Sequence, residues 1–334
     1  MKSKFQFYLL QIPLLILFAC GGGEKPAQDV PAKAESGIVI PANLPAFNAD
    51  SAYNHTARQV AFGPRIPNTQ AHIQCGDYLI RVLKSYGAQV DVQATTVTAH
   101  TGESLRIRNI LARIHPEKSR RIYLAAHWDT RPHADRDKEQ PQSRFDGAVD
   151  GASGAGILLE MARIISASQP GIGVDIVLFD AEDYGDSNES ASYCLGSQYF
   201  ASHLPSGFKP EYGVLLDMPA AQGATFYREG YSMQYAPQVV SRVWSIAGKL
   251  GYRAYFVNEN TPPVTDDHYF MNSIAGIPTI DIIHHDPFSR TGFGAYWHTR
   301  ADNMEQVDKS TMQVVGHTLT ALIFTEKGST QPTP

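Results

Sequence analysis

The segment Ile122-Tyr123-Leu124-Ala125-Ala126-His127-Trp128-Asp129 decides the fold class of this chain. Its first five residues form a continuous apolar run without polar alternation, which is typical of a strand covered on both faces. The run then ends abruptly in a histidine and an aspartate. A buried strand with polar side chains at its carboxyl end indicates an open α/β sheet, in which ligands bind at that edge.

The same kind of apolar run recurs along the chain and alternates with helical patterns. Two upstream segments, 88–97 and 105–114, also predict strands, and we expect the second to pair antiparallel at the sheet edge. The sequence therefore predicts an α/β fold in a single domain, with a central, mostly parallel mixed β-sheet flanked by helices on both faces. The other apolar runs are 174–179, 212–216 and 279–283, and the helical segments are 71–86, 153–166, 237–250 and 309–324.

The composition is that of an ordinary globular protein of 334 residues. Lys plus Arg number 28 and Asp plus Glu number 33, which gives a net charge of -5. This mildly acidic balance lacks the basic stripe that holds a phosphate backbone, so we expect no nucleic-acid partner. Three cysteines are too few for a disulfide scaffold or a four-thiolate zinc site. The sequence leaves open whether Cys75 and Cys194 form a disulfide or remain free thiols.

The amino-terminal segment has the features of an export signal. Residues 1–19 combine two early lysines with an apolar run that is too short for a membrane span. The run ends in Leu17-Phe18-Ala19-Cys20, which is typical of a bacterial lipobox, although a plain signal peptide with a chance cysteine is the alternative. We therefore expect a lipid anchor on Cys20, which places the protein in the bacterial cell envelope, at the outer membrane or the periplasmic face.

The remaining boundaries follow from composition. Residues 20–45 are rich in Gly, Pro, Ala and charged side chains, so we expect a flexible tether there. Residues 46–327 contain the apolar runs and form the expected catalytic domain, and 328–334 form a frayed tail. We expect the protein to be a monomer.

Acids follow three successive strands at the point where each strand ends. The first strand leads into His127 and Asp129, the second into Asp180-Ala181-Glu182-Asp183, and the third into Asp217. A single acid after a strand is commonly a helix cap, but three such endings at one sheet edge favour a functional site. His284-His285-Asp286, after the last strand, fits a capping or packing role better than a metal site.

Two carboxylates and an imidazole from distant segments are candidate metal ligands. Asp150 lies in a stretch of small residues directly before a helix, Asp183 follows a strand, and His298 lies in a loop before the terminal helix. Two carboxylates and one histidine with a fourth position open are typical of catalytic zinc, whereas magnesium prefers oxygen ligands alone. The three residues are far apart in sequence, so their spacing is a weak signal. From the residues alone, a zinc site and a set of helix-capping acids are equally good interpretations.

These residues stand in motifs that resemble those of glutaminyl cyclases (glutaminyl-peptide cyclotransferases), which share a fold with zinc aminopeptidases. The resemblance covers about residues 50 to 325 and rests on six motifs in one order. They are Ala126-His127-Trp128-Asp129, Val149-Asp150-Gly151-Ala152, Phe179-Asp180-Ala181-Glu182-Asp183, Leu215-Leu216-Asp217, Asp266-Asp267-His268 and Trp297-His298-Thr299.

The resemblance implies one zinc ion per chain, held by Asp150, Asp183 and His298. It also implies the reaction: N-terminal glutamine of peptides and exported proteins, and more slowly glutamate, is cyclised to pyroglutamate with loss of ammonia or water. By the same resemblance, Glu182 is the general acid and base, Asp217 and Asp267 form a hydrogen-bonded acid pair, and Trp297 lines the substrate pocket. From the residues alone, either aspartate before His268 is equally well a helix N-cap.

Two features depart from the family pattern. Many glutaminyl cyclases have Glu-Glu where this chain has Glu182-Asp183, and a tryptophan of the animal members has no counterpart between Tyr184 and Ser192. His127 is expected beside the substrate, hydrogen-bonded to a ligand, because a further ligand would call for a second ion.

Two other functions remain open at this point. In a two-zinc aminopeptidase, His127 and Asp217 would bind a second ion and Asp150 would bridge the two. Trp297 and the Asp266-Asp267-His268 motif favour the cyclase instead. A non-enzymatic envelope lipoprotein with a decayed site is the second alternative, and the intact ligands and Glu182 argue against it.

Overall fold

Six strands form the central sheet of this protein. The computed structural model describes residues 37–328. The sheet order is β1-β2-β4-β3-β5-β8, in which β4, β3, β5 and β8 are parallel neighbours and β1 and β2 add an antiparallel edge. The predicted mostly parallel mixed sheet is therefore confirmed. Within the described residues the strands are β1 Gln89–Thr98, β2 Ser104–Ile114, β3 Arg121–His127, β4 Gly173–Phe179, β5 Gly213–Asp217, β6 Phe226–Arg228, β7 Phe256–Asn260 and β8 Thr279–Ile283, with β6 and β7 forming a separate parallel pair.

Helices cover both faces of this sheet. Residues that point to one face pack with α1, α2, α3, α6 and α8, and those that point to the other pack with α4 and α7. The helices are α1 Ala49–Val60, α2 Gln70–Ser85, α3 Gly154–Ser166, α4 Leu195–Ser202, α5 Gly230–Tyr235, α6 Pro237–Lys249, α7 Asp267–Ser273 and α8 Lys309–Thr325.

Strand β3 shows why its sequence lacks polar alternation. Ile122, Leu124 and Ala126 belong to the larger of the two cores, whereas Tyr123 and Ala125 belong to the smaller one on the opposite face. Successive side chains of a strand point to opposite faces, so a strand covered on both faces needs apolar residues at every position.

Helix α3 packs unusually close to the sheet at its first residue. A Cβ atom at Gly154 would lie 2.8 Å from the Leu216 carbonyl oxygen and 2.9 Å from the Ala126 Cβ. Glycine is therefore required for this approach, which draws the segment around Asp150 towards the carboxyl ends of β3 and β5.

The folded domain begins earlier than expected. Ile38, Ile40 and Leu44 pack against the larger core, so the prediction of a flexible tether is wrong for residues 37–45. These side chains have enough apolar surface to pack against the core, whereas the preceding Gly- and Pro-rich residues have little. The signal segment 1–19, the rest of the tether and residues 329–334 of the tail lie outside the described residues.

Two further observations concern the cysteines and the helices. Cys75 and Cys194 are both buried free thiols, which excludes the disulfide between them. Within residues 37–328, no helix has the length and apolar character that crossing a membrane requires.

Candidate active site

A cleft of about 400 Å³ opens at the carboxyl ends of the parallel strands. The strand ends contribute its acids, as expected for an open α/β sheet. Most of the residues chosen from the sequence lie on its wall, namely Asp150, Glu182, Asp183, Asp217, Trp297 and His298.

The three candidate metal ligands converge at the base of the cleft. One ligand atom each from Asp150, Asp183 and His298 lies within 4.8 Å of the other two. The His298 Nε2 atom is 3.3 Å from Asp183 Oδ1 and 3.7 Å from Asp150 Oδ2. All three side chains are buried, at 5%, 2% and 3% exposure. Two carboxylates and an imidazole at this spacing fit a four-coordinate zinc ion with one position left for substrate.

Asp302 fixes the backbone that carries Asp150. Its Oδ1 and Oδ2 atoms accept hydrogen bonds from the Val149 and Asp150 backbone N–H groups at 2.7 and 3.1 Å. Burial raises the pKa of the Asp302 carboxyl to about 8, and these two donors oppose that shift. The sequence analysis missed this residue, because an aspartate in a loop gives no signal of its partners.

Asp129 performs the same task for Glu182 and Asp183. Its Oδ1 and Oδ2 atoms accept hydrogen bonds from the backbone N–H groups of these two residues at 3.0 and 3.2 Å. Ala181, just before them, has a φ of +51°, so the chain turns sharply where β4 ends. A buried carboxylate therefore holds this turn with both adjacent acids at the cleft.

Arg131 and Asp135 orient two of the candidate ligands. The Arg131 Nη1 atom donates a hydrogen bond to Asp183 Oδ1 at 3.1 Å, and Arg131 also pairs with Asp135 at 2.8 Å. Asp135 Oδ1 lies 3.3 Å from the Nδ1 atom of His298. Despite burial, which opposes the shift, His298 and Arg131 hold the pKa of Asp135 well below its usual range. A carboxylate behind the histidine fixes the ring orientation needed for binding through Nε2.

Glu182 lies beside the three candidate ligands with its side chain largely buried. Its Oε2 atom is 3.9 Å from His127 Nδ1, and the Cys194 thiol donates a hydrogen bond to its Oε1 atom at 3.2 Å. Burial raises the pKa of the Glu182 carboxyl well above its usual range, and the neighbouring Asp183 adds to that shift. A carboxyl with a raised pKa beside the candidate ligands is suited to accept a proton and return it.

Residues 109–323 match Peptidase family M28. The chain belongs to this family.

Solved relatives of this M28 chain divide between two names. The chain is 50% identical to Tannerella forsythia glutaminyl cyclase, with a TM-score of 0.83, covering 85% of this chain and 100% of that one. It is 48% identical to a Zn-dependent exopeptidase from Parabacteroides distasonis, with the same TM-score and coverage. It is also 23% identical to the glutaminyl-peptide cyclotransferase of Bos taurus, covering 78% of each chain. The resemblance to glutaminyl cyclases is thereby confirmed.

His127 does not form part of the cleft wall in this M28 chain. It is 2% exposed, and its Nε2 atom lies 3.0 Å from Asp150 Oδ1 and 3.4 Å from Asp217 Oδ1. Burial lowers the pKa of His127, but Asp129, Asp150 and Asp217 together raise it well above its usual range. As expected, the imidazole lies behind the acids within hydrogen-bond distance of the candidate ligand Asp150, but the expected position beside the substrate is corrected, because His127 does not line the cleft.

The structure also corrects the prediction that Asp267 pairs with Asp217. Asp266 lines the cleft with Asp217, whereas Asp267 is buried against Ser197 of α4. Asp266 is the extended N-cap of α7, and Asp267 is its first helical residue. Adjacent residues at such a junction point in different directions, so only one of them reaches the cleft. Burial raises the pKa of Asp217 to about 7, and Asp266 and Asp150 strengthen that shift.

Aromatic side chains close the outer part of the cleft. The Trp297 ring lies 4.5 Å from the Phe293 ring and 3.8 Å from the His298 ring, measured between centroids. The Arg136 guanidinium lies 5.3 Å from the Trp297 ring centroid. This M28 site therefore combines an acidic base, which holds the candidate metal ligands, with an apolar wall.

Strained backbone is concentrated around the same site. Ala181, Cys194, Met218 and His298 all have a positive φ between 47° and 58°, although none is glycine. Such conformations cost about 1–3 kcal/mol each and persist where surrounding contacts over-determine them. Ala181 and Met218 adjoin Glu182 and Asp217, and His298 is itself a candidate ligand, so the strain lies where the surrounding fold holds the site in place.

Proposed function

We propose that this chain is a zinc-dependent glutaminyl cyclase that converts N-terminal glutamine of peptides and proteins to pyroglutamate with release of ammonia. The observation that carries the proposal is the convergence of Asp150, Asp183 and His298 beside Glu182, at the base of a cleft walled by Trp297. The 50% identity to Tannerella forsythia glutaminyl cyclase supports it.

Asp150, Asp183 and His298 would hold the zinc ion. Their donor set and spacing fit zinc, and each is oriented by a neighbouring polar side chain. When bound, zinc supplies a Lewis acid that polarises the γ-carbonyl of the substrate glutamine. We propose one ion per chain.

Glu182 moves the protons of the reaction. The α-amine nitrogen attacks the γ-carbonyl carbon of the same residue, so the two reacting groups are already joined. Glu182 takes a proton from that amine and returns one to the amide nitrogen as the carbon–nitrogen bond breaks. Ammonia leaves, and Glu182 ends in the state in which it began.

The other cleft residues bind and orient the substrate. Asp217 and Asp266 lie on the wall with Glu182, where they can accept hydrogen bonds from the substrate amine and from departing ammonia. Trp297 and Phe293 offer an apolar surface for the glutamine methylenes. Because the cleft base is filled by acids, a folded-back glutamine side chain fits better there than a large apolar one.

A two-zinc aminopeptidase remains the second candidate because of one specific observation. Ligand atoms of His127, Asp150 and Asp217 also lie within 4.8 Å of one another. The chain thus carries the donors for a second ion, and one of its solved relatives is named an exopeptidase. Measured zinc content separates the two: one ion per chain supports the cyclase, and two support the peptidase.

The decisive experiment compares two activities of the purified, zinc-loaded full chain. We expect ammonia release from a glutaminyl peptide and no release of p-nitroaniline from leucine-p-nitroanilide. Glu182→Gln should retain zinc and lose 10²–10⁴-fold in kcat, the range for removing a general acid and base. Glu189→Gln, an exposed glutamate nearby, is the matched control. Leucine release without cyclisation, or substantial turnover by zinc-loaded Glu182→Gln, would overturn the proposal.

We also propose that the enzyme is a monomer held in the bacterial envelope by a lipid on Cys20. The Leu17-Phe18-Ala19-Cys20 sequence supports this anchor, and exported proteins with N-terminal glutamine would then be its substrates. Cys20→Ala should move the protein from the membrane fraction to the soluble fraction of a bacterial host. Membrane association that persists in Cys20→Ala would contradict the anchor.

A further inference from the structure

A second cluster of ligating atoms lies next to the proposed zinc ligands and shares none of them. It consists of Glu182 after β4, Cys194 directly before α4, and Asp266 at the start of α7. One ligand atom of each lies within 4.8 Å of the other two. The Cys194 thiol already donates a hydrogen bond to Glu182 Oε1 at 3.2 Å. Three chain segments therefore place a sulfur and two carboxylates around one point.

Asp266 provides independent evidence that this point favours a cation. The residue is 3% exposed, its Oδ2 atom has no hydrogen-bond partner among residues 37–328, and the buried carboxyl of Asp281 is its side-chain neighbour. Its Oδ1 atom accepts a hydrogen bond from the Asp267 backbone N–H at 2.5 Å. A buried carboxylate oxygen without a donor is costly, and a bound cation would satisfy it.

We propose that Glu182, Cys194 and Asp266 form a second metal site, which binds a thiophilic divalent cation such as Cd²⁺ and inhibits the enzyme. Sulfur and carboxylate ligands around zinc at about 2.0–2.3 Å lie about 3.3–3.8 Å apart, so small side-chain rotations close the site. Glu182 and Asp266 line the cleft, which gives the ion a path from solvent. Thiolate ligation favours soft cations over Mg²⁺ or Ca²⁺.

Binding replaces the thiol proton with the metal ion. Burial raises the pKa of Cys194 well above its usual range, and Glu182 adds to that shift, so the free thiol holds its proton. On binding, the S–H bond breaks, a sulfur–metal bond forms and one proton leaves to solvent. Glu182 then binds the metal ion through its carboxylate oxygen. That oxygen is no longer free to take a proton from the substrate amine. The inhibitory effect rests on the proposed function, but the binding itself does not.

The test uses Cd²⁺ as the probe and the zinc-loaded full chain with Cys20→Ala and Cys75→Ala. This background leaves Cys194 as the single thiol, since the chain has three cysteines. We expect Cd²⁺ to produce an ultraviolet cadmium–thiolate absorption with one equivalent per chain, while the zinc content stays unchanged. Cyclase activity should fall in parallel. Adding Cys194→Ser keeps a hydrogen-bond donor beside Glu182. We expect this variant to lose the cadmium–thiolate absorption. Its own cyclase activity should be at least about tenfold less sensitive to Cd²⁺ than that of the parent.

Two results would overturn the proposal. One is a single-thiol protein that gives no thiolate absorption on Cd²⁺ addition, a measurement that needs neither activity nor the Cys194 variant. The other is equal Cd²⁺ inhibition of the Cys194→Ser variant and its parent. A protein that shows the thiolate absorption but has no cyclase activity would leave the site standing and refute only the proposed function.

Discussion

Asp129 offers the sharpest test of how this site is built. Its side chain is fully buried and accepts hydrogen bonds from the backbone N–H groups of Glu182 and Asp183. Its Oδ1 atom also lies 3.4 Å from His127 Nδ1. Asp129→Ala removes all three contacts at once without touching a proposed zinc ligand.

The expected cost follows from the groups left without partners. Each buried N–H group that loses its acceptor costs about 1–3 kcal/mol, so the two backbone donors together cost about 2–6 kcal/mol. The loss also releases the turn that positions Asp183, and removal of such orienting partners typically weakens metal binding about 10–100-fold. Asp129→Asn should fall between the parent and Asp129→Ala, because one carbonyl oxygen remains to accept one of the two bonds.

Urea unfolding and a zinc competition titration measure these two effects separately. Unfolding of the metal-free proteins, followed by tryptophan fluorescence, gives the free energy difference, and titration against a chelator gives the change in zinc affinity. Asp91→Ala is the matched control, since its ion pair with Arg113 lies on the edge strand β1 with the Asp91 side chain 51% exposed. That control should change the free energy of unfolding by less than about 1 kcal/mol.

The reasoning would be refuted by an Asp129→Ala protein whose free energy of unfolding lies within about 1 kcal/mol of the parent. Unchanged zinc affinity in the same protein would show that the 181–183 turn keeps its shape without this carboxylate. A loss of zinc affinity without any loss of stability would mean that the two N–H groups find water instead.

Three further predictions concern the wall, the ligand loop and the response to acid. Trp297→Ala should lower kcat/KM about tenfold through loss of the stacked apolar surface, with Trp297→Phe retaining most of it; unchanged kinetics for the alanine variant would remove Trp297 from the substrate wall. Gly151 has a φ of +94°, and a Cβ there would lie 2.4 Å from the Asp129 carbonyl oxygen, so Gly151→Ala should cost at least about 2 kcal/mol and impair zinc binding. Gly223→Ala, at a φ of +68° with open space, is its control, and equal thermal melting of the two variants would contradict the steric argument. Burial lowers the pKa of His284 from 6.5 to about 4, so the unfolded chain binds the extra proton and stability falls by about 3 kcal/mol as the pH drops from 6.5 to 4. His284→Asn should flatten that part of the unfolding free energy against pH, and an unaltered slope would exclude His284 as its source.

The strands illustrate how far the amino-acid pattern reaches. The runs 122–126, 174–179 and 279–283 are strands β3, β4 and β8, because a strand buried on both faces needs apolar side chains at every position. The segments 88–97 and 105–114 are also strands as predicted, and the antiparallel pairing expected of the second is confirmed, although β1 rather than β2 forms the sheet edge. Residues 37–45 escaped the prediction because Pro41 and Pro45 interrupt this short apolar segment, so it shows neither a helical nor a strand period.

The site residues divide along a different line. Those that contribute a ligand or a proton stand at strand ends or in motifs, and the pattern made them candidates. Asp302 and Arg131, which only hold other residues in place, were missed because an isolated polar residue does not reveal its partner. The choice between Asp266 and Asp267 was wrong for a related reason, since their backbone conformations at the start of α7 decide which one faces the cleft.

The sequence by itself determined the buried parallel sheet and the edge at which its polar side chains collect, since both follow from local apolar patterning and chain direction. Only the tertiary structure decided that Asp150, Asp183 and His298 meet within 4.8 Å, that His127 lies behind the acids, and that a thiol touches Glu182. These contacts join residues far apart along the chain. They depend on a few turns with positive φ and on the close packing of α3 against the sheet at Gly154. Neither feature produces a periodic pattern of apolar residues in the surrounding sequence.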